Sequence, residues 1–303
     1  MMQHTSGIPL TILLLIFHPL QAVENINSTH SRKKGLVIPA WPRHMCGDFE
    51  AFDTVSWWYN YHTYPDPEDI TPWWCSCADT GRPPKNRSEC MPADPTITFI
   101  PQVYGIPGLG QRPDDHEPPI DDVYQYVLGY NEPNQASQSN IPPEVAAEAF
   151  AELTKTYPDK TFVSPATAGP DAQWMDPFLE ACEELGCKID YIGMHDYSGD
   201  ADHVMKRVKN FSQRYGKQVW LTEFAVNNEH SEEKVINFIE NLLPQLEQSE
   251  AVFRYSWFYT RYYPDYDDSI SWWIDPINSL LEQNSPTLSK VGKAYNKPWH
   301  LVV

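Results

Sequence analysis

Basic residues are scarce in this chain of 303 residues: 22 Lys and Arg stand against 41 Asp and Glu, for a net charge of −19. Such a surface repels the phosphate backbone and anionic lipid, which excludes nucleic-acid and membrane-surface partners. Neutral ligands such as sugars meet no such barrier. Long apolar runs are lacking too. The longest, Ile8–Phe17, is about ten residues, half of what a bilayer span needs and the right size for a signal-peptide core. With Ala22 as a cleavage point, residues 1–22 are expected to be a secretion signal and the mature protein extracellular. No glycine-rich phosphate loop, nucleotide signature or internal repeat is present. Cysteines number six, and Cys75-Ser76-Cys77 lacks the two-residue spacer of a zinc pair. Disulfides are the reading that remains in a secreted chain. Cys182 and Cys187, five apart at the end of an amphipathic run, are expected to bond to each other, while Cys46, Cys75, Cys77 and Cys90 allow three connectivities. Asn27, Asn86 and Asn210 each open a glycosylation sequon. The acidic stretch Asp265–Ser269 lacks the spacing of a calcium loop and reads as solvated.

What is present is a rhythm. Residues 23–34 are polar and read as a flexible lead-in. From Gly35 to the C-terminus, eight short apolar runs recur: 36–38, 55–59, 97–100, 126–128, 162–164, 191–194, 219–221 and 253–257. Nearly continuous apolar runs mark strands covered on both faces. Helical patterns separate the later ones. They open at Pro142-Pro143, Asp171, Asp200 and Ser231, and two of them stop at Gly186 and Gly216, as C-capping glycines do. Strands alternating with helices imply parallel βαβ units, and eight of them predict an α/β chain closed as a (β/α)8 TIM barrel, a single domain over 35–303. Residues 64–95, with seven Pro and three Cys, interrupt the rhythm after the second strand and predict a long disulfide-stapled loop on the catalytic face.

Two runs end alike. Tyr126-Val127-Leu128 is followed by Gly129-Tyr130-Asn131-Glu132-Pro133, and Val219-Trp220-Leu221 by Thr222-Glu223-Phe224. Counted along the chain, Glu132 ends strand four and Glu223 ends strand seven, so in a parallel barrel both reach the C-terminal mouth. Pro133 blocks helix after Glu132 and holds the turn. Two carboxylates across a pocket are the means of glycosidic hydrolysis: one, kept neutral, protonates the leaving oxygen while the other stays ionised. Asn131 can donate to a sugar hydroxyl, in particular the 2-OH. Tyr197 and His195 end strand six, where the Tyr hydroxyl could hold Glu223 ionised; a satisfied core histidine is the alternative for His195. Trp257, at the end of strand eight, could floor the site. Trp57, Tyr59 and Tyr104 are either groove-lining or core aromatics.

Several segments together carry a family resemblance: Ser56-Trp57 with Tyr59-Asn60, Ile100-Pro101 through Tyr104-Gly105, Asn131-Glu132-Pro133, His195 with Tyr197, Trp220 to Phe224, and Tyr255 to Phe258. In this ordered set the chain resembles glycoside hydrolase family 128, the retaining endo-β-1,3-glucanases of the clan A barrels. The resemblance implies Glu132 as acid/base, Glu223 as nucleophile, an aromatic-lined groove for β-1,3-glucan, and no cofactor or metal. Tyr61, Tyr104 and Asp196 stand where the resemblance leads one to expect Trp, and Trp58 where it leads one to expect a small residue. A monomer is expected. The competing functions are a non-catalytic glucan-binding barrel and a hydrolase of another β-glycan.

Overall fold

The computed structural model describes residues 29–38, 44–65, 75–76, 92–110, 119–262 and 274–302. The expected signal segment, the Asn27 and Asn86 sequons, Cys77, Cys90 and the acidic stretch 265–269 lie outside them. Each of the eight apolar runs contains or borders a parallel strand: β1 (Lys34–Val37), β3 (Trp57–Tyr59), β5 (Thr98–Phe99), β6 (Tyr126–Val127), β7 (Thr161–Phe162), β8 (Ile192–Asp196), β9 (Val219–Phe224) and β10 (Val252–Trp257). Two further strands, β2 (His44–Met45) and β4 (Cys75–Ser76), pair with each other; at two residues each they have no periodicity to read.

Six strands form one parallel sheet in the order β5-β3-β1-β10-β9-β8, and β6 pairs with β7. The last strand thus lies against the first, with Leu36 beside Trp257. Isolated parallel bridges sit between the two groups: Gln102 with Leu128 on one side, and Val163 with Tyr191 and Thr167 with Met194 on the other. Gly129 is required where these segments converge, since a Cβ there would lie 2.6 Å from the Pro165 nitrogen.

Four long helices follow the later strands: α1 (Pro143–Thr156), α2 (Ala172–Leu185), α3 (Ala201–Tyr215) and α4 (Glu232–Gln248), with α5 (Lys290–Tyr295) near the C-terminus. The Asp171 and Asp200 carboxylates cap the starts of α2 and α3, and Gly186 and Gly216 end them in the left-handed conformation that an L side chain resists. Each helix covers the sheet with an apolar stripe, as α3 does with Val204, Met205, Val208 and Phe211. Among the described residues, the strand–helix alternation holds only in this half. Among the described residues, the connections from β1 to β6 carry a single short 3-10 turn, Phe49–Ala51.

The Cys182–Cys187 disulfide forms as expected, joining the last turn of α2 to the residue beyond its Gly186 cap. Asn210 is exposed on α3. Ser31–Lys34, at the end of the expected lead-in, are bound into the fold. Lys34 is fully buried, and its ammonium donates to Thr54 Oγ1 and to the Tyr295 and Lys297 carbonyls. Burial, only partly offset by the charges of Glu247 and Asp53, pulls its pKa down to about 7. No helix among the described residues is long and apolar enough to cross a membrane.

Candidate active site

Side chains alternate across a strand, and the face chosen by each residue decides what reaches the site. On β3, Trp57 and Tyr59 share one face: their rings stack 6.1 Å apart, and the Tyr59 hydroxyl reaches Glu223 Oε1 at 3.4 Å. Trp58 points the other way, against Phe49 and Phe99. On β10, Arg254 and Ser256 share the Glu223 face: Arg254 lies over Trp57 and Trp220, and Ser256 donates to the Thr222 carbonyl.

Trp257 therefore falls on the opposite face. It is fully buried against Phe224, Phe238 and Tyr295, and its indole donates to the Asn278 carbonyl at 2.7 Å. The expectation that it floors the site is corrected: it is core between β10 and the helices. Its neighbour Phe258 instead has its ring 5.9 Å from that of Tyr197, which donates to Glu223. For Trp57 the core alternative holds. It sits at the start of β3, fully buried, with its indole on the Lys33 carbonyl and its ring against Trp220. It is on the right face but below the site.

Glu132 and Glu223 meet at His195. The imidazole Nδ1 lies 2.8 Å from Glu132 Oε1 and 3.3 Å from Glu223 Oε2. Both neighbours are acceptor oxygens when ionised, so Nδ1 carries the proton between them. The other ring nitrogen, Nε2, is buried with no hydrogen-bond partner. Thus His195 is buried, yet both carboxylates engage it; it is more than a satisfied core histidine. Burial pulls its pKa down, but the Glu223 charge and the Glu132 hydrogen bond and charge outweigh that and raise it above the usual histidine value.

Glu223 is buried on β9 among hydroxyl donors. Tyr61 donates to Oε1 at 2.6 Å, Tyr197 donates to Oε2, and Tyr59 divides its proton between Oε1 and the Thr222 carbonyl at 3.0 Å. Burial raises the Glu223 pKa; the His195 charge opposes this, the Glu132 charge adds to it, and the Tyr197 and Tyr61 hydroxyls lower it again. Burial, with the Glu223 charge next in weight, pushes the phenols of Tyr59, Tyr61 and Tyr197 well above their usual range, so they stay protonated donors.

Glu132 follows β6 on a turn that Pro133 continues. Its φ of 42° lies in the left-handed region that side chains avoid, a kind of backbone strain that concentrates at functional sites. Its N–H donates to the Ala166 carbonyl at 2.8 Å and its carbonyl accepts from Gln135 N at 3.0 Å. Asn131 beside it is held on three sides: its N–H donates to the Tyr104 carbonyl at 2.8 Å, its carbonyl accepts from Ser139 Oγ at 2.6 Å, and its amide donates to Gln138 Oε1 at 3.3 Å. The Tyr104 hydroxyl also donates to Gln138 Oε1, so Tyr104 belongs to this wall. The structure brings together Glu132, Glu223, Asn131, His195, Tyr197, Tyr59 and Tyr104, and leaves Trp57 and Trp257 outside. Sequence reasoning passed over Gln138 and Phe258, and counted Tyr61 only as a departure from an expected Trp. The two-residue spacing Trp57-Tyr59-Tyr61, one face of an extended strand, was the available signal.

One ligand atom from each of Glu132, His195 and Glu223 lies within 4.8 Å of the others, a set able to hold a cation; two-carboxylate hydrolysis needs none. A buried carboxylate kept in reach of a second one, with phenols and an imidazole governing their charge, is suited to acid–base cleavage of a glycosidic bond, and on this parallel α/β frame it makes the protein a glycoside hydrolase. The chain belongs to the glycosyl hydrolase catalytic core family, whose model matches residues 35–295. Solved structures agree. An endo-β-1,3-glucanase of glycoside hydrolase family 128, subgroup II, from Sorangium cellulosum is 25% identical and superposes with a TM-score of 0.65, over 88% of this chain and 98% of that one. A curdlan-specific exo-β-1,3-glucanase of subgroup III from Blastomyces gilchristii, solved with glucose, is 27% identical with a TM-score of 0.59, over 87% and 97%. Among curated proteins, alkali-sensitive linkage protein 1 of Schizosaccharomyces pombe is 30% identical over 179 residues, 56% of this chain; the match spans about a third (32%) of that protein.

Proposed function

We propose that this glycoside hydrolase cleaves β-1,3-glucan with retention of anomeric configuration, Glu223 acting as nucleophile and Glu132 as acid and then base. The observation that carries the reading is the single His195 nitrogen touching both carboxylates, with their facing oxygens within 4.8 Å of each other. Retaining enzymes hold their carboxyl groups about 5–5.5 Å apart, whereas inverting ones leave roughly 6.5–9.5 Å for a water. In the first step a Glu223 oxygen bonds to the anomeric carbon as the glycosidic C–O bond breaks, and the departing oxygen takes the Glu132 proton. In the second, Glu132 removes a proton from water, whose oxygen displaces Glu223.

The substrate assignment draws on the β-1,3-glucanases at 25% and 27% identity. One is described as endo-acting and the other as exo-acting, and internal cleavage is the mode proposed here. The strands are taken to close as a (β/α)8 barrel, for which the bridges at Gln102–Leu128, Val163–Tyr191 and Thr167–Met194 are the support. Secretion, glycan attachment at the exposed Asn210, a monomeric state and cofactor independence complete the reading.

The test is a reducing-sugar assay on laminarin with the wild type, Glu132→Gln and Glu223→Ala. Hydrolysis should vanish in Glu223→Ala and return in part with azide, which attacks from the vacated side to give an inverted glycosyl azide. Glucan binding by the wild type without product release would instead make this a binding barrel.

A further inference from the structure

Tyr61 is one of three hydroxyl donors to Glu223, and its surroundings single it out. It lies two residues beyond β3, just past Tyr59, and its φ of 70° is in the left-handed region. The chain around it is fastened at both ends. Asn60 is fully buried; its amide donates to the Tyr64 and Pro65 carbonyls at 3.0 and 3.1 Å, and its side-chain oxygen accepts from His62 N at 3.1 Å. On the far side the His62 carbonyl accepts from Gln102 N at 2.9 Å. This bracing holds a residue in a conformation a tyrosine would not choose, and it aims the phenol at Glu223 Oε1, 2.6 Å away. Tyr59 meets the same oxygen at 3.4 Å and is closer to the Thr222 carbonyl, so Tyr61 is the stronger donor to Oε1.

The two oxygens of Glu223 are therefore served from different sides. Oε2 receives Tyr197 and lies 3.3 Å from His195 Nδ1, on the Glu132 side; Oε1 receives Tyr61 and Tyr59. We infer that Tyr61 is a positioning residue for the nucleophile, whose hydroxyl holds Oε1 while Oε2 attacks the anomeric carbon and then stays on Oε1 as the carbonyl oxygen of the glycosyl ester. When water displaces Glu223, the C–Oε2 bond breaks and its electron pair returns to the carboxylate; the Tyr61 proton is already in place to share that charge. A tryptophan, which the family resemblance leads one to expect at this position, has no hydroxyl to give. Tyr61 thus supplies this chain's nucleophile with a donor on the oxygen that Tyr197 does not serve. The assignment rests on Glu223 being the nucleophile.

The test separates the two claims by covalent labelling. A 2-deoxy-2-fluoro laminaribioside bearing an activated leaving group traps a retaining nucleophile as its ester, and peptide mapping by mass spectrometry locates the label. The labelling rate against pH is then measured for wild type, Tyr61→Phe and Tyr61→Trp, with thermal melting of each. The label is expected on Glu223 in all three. Loss of the Tyr61 bond should move the acid limb of labelling up by about one pH unit or more, since a hydrogen bond to a charged group is worth that much, and should slow turnover of the trapped ester at least tenfold. Tyr59→Phe should move the limb less. Label on Glu223 with an unmoved limb in both Tyr61 variants, or a uniform fall in rate at every pH, would overturn the role of Tyr61. Absence of label from wild-type Glu223 would overturn the nucleophile assignment beneath it. If both variants fail to fold, Tyr61 is a structural residue and the assignment falls.

Discussion

Replacing His195 by Phe keeps a ring in the buried space and removes the proton that lies between Glu132 and Glu223. Two unit charges no more than 4.8 Å apart repel by about 3.5 kcal/mol at an effective dielectric of about 20. The lost hydrogen bond to Glu132, made to a charged group, is worth about 1.5–3 kcal/mol. The His195 charge lowers the Glu223 pKa, so removing it raises that pKa. The acid limb of kcat/KM on laminarin should then shift upward by at least one pH unit, and activity at mildly acidic pH should fall by about 10²-fold, each 1.36 kcal/mol being a factor of ten. The assay is a pH–rate profile of kcat/KM for both proteins, with circular dichroism to confirm folding. A folded variant with an unshifted acid limb would refute the bridging role and return His195 to the core.

Tyr197→Phe removes the donor to Glu223 Oε2 and should also raise the acid limb; an unchanged profile would mean the nucleophile does not depend on that hydroxyl. Asp48 and Arg261 form an ion pair that is 1% exposed on both sides, and Asp48→Ala should destabilise by about 3–5 kcal/mol, because it strands a buried guanidinium; urea titration reads it. Trp257→Phe should lower the melting temperature without weakening glucan binding in calorimetry, because Trp257 packs against Phe238 and Tyr295 rather than facing the glutamates. Lys34 has a folded pKa of about 7 against about 10.5 unfolded. Between those values the unfolded chain binds the extra proton, so this residue contributes a gain in stability as pH rises from 7 towards 10. Lys34→Met should flatten that part of the stability–pH curve relative to wild type.

The parallel strands were legible because strands covered on both faces are nearly continuous apolar runs, and Glu132 and Glu223 because each stands a few residues past the end of such a run. The helix ends were legible from Asp171, Asp200, Gly186 and Gly216, whose capping chemistry is local. The faces were not. Whether Trp257 or Phe258 turns towards the glutamates depends on a one-residue register, and adjacent aromatics in Tyr255–Phe258 offer no polar alternation to set it. Trp57 has the correct face but the wrong height, which depends on where β3 begins relative to β9. Tyr61 was hidden for another reason: its position is set by the left-handed turn that Asn60 braces, and a substitution of Tyr for Trp reads as a loss until the hydroxyl is seen on Glu223. His195 as a bridge needed three segments, 63 and 28 residues away from it on either side, brought to one point.

The most direct measurement of the central claim is the configuration of the first sugar released. Proton NMR of laminarin hydrolysis, followed from the first minutes, resolves the anomeric signal before mutarotation. Double displacement through Glu223 predicts the β-anomer first, with the α-anomer growing in later, and no product from Glu223→Ala without azide. Release of the α-anomer first, or undiminished hydrolysis by Glu223→Ala, would contradict the account.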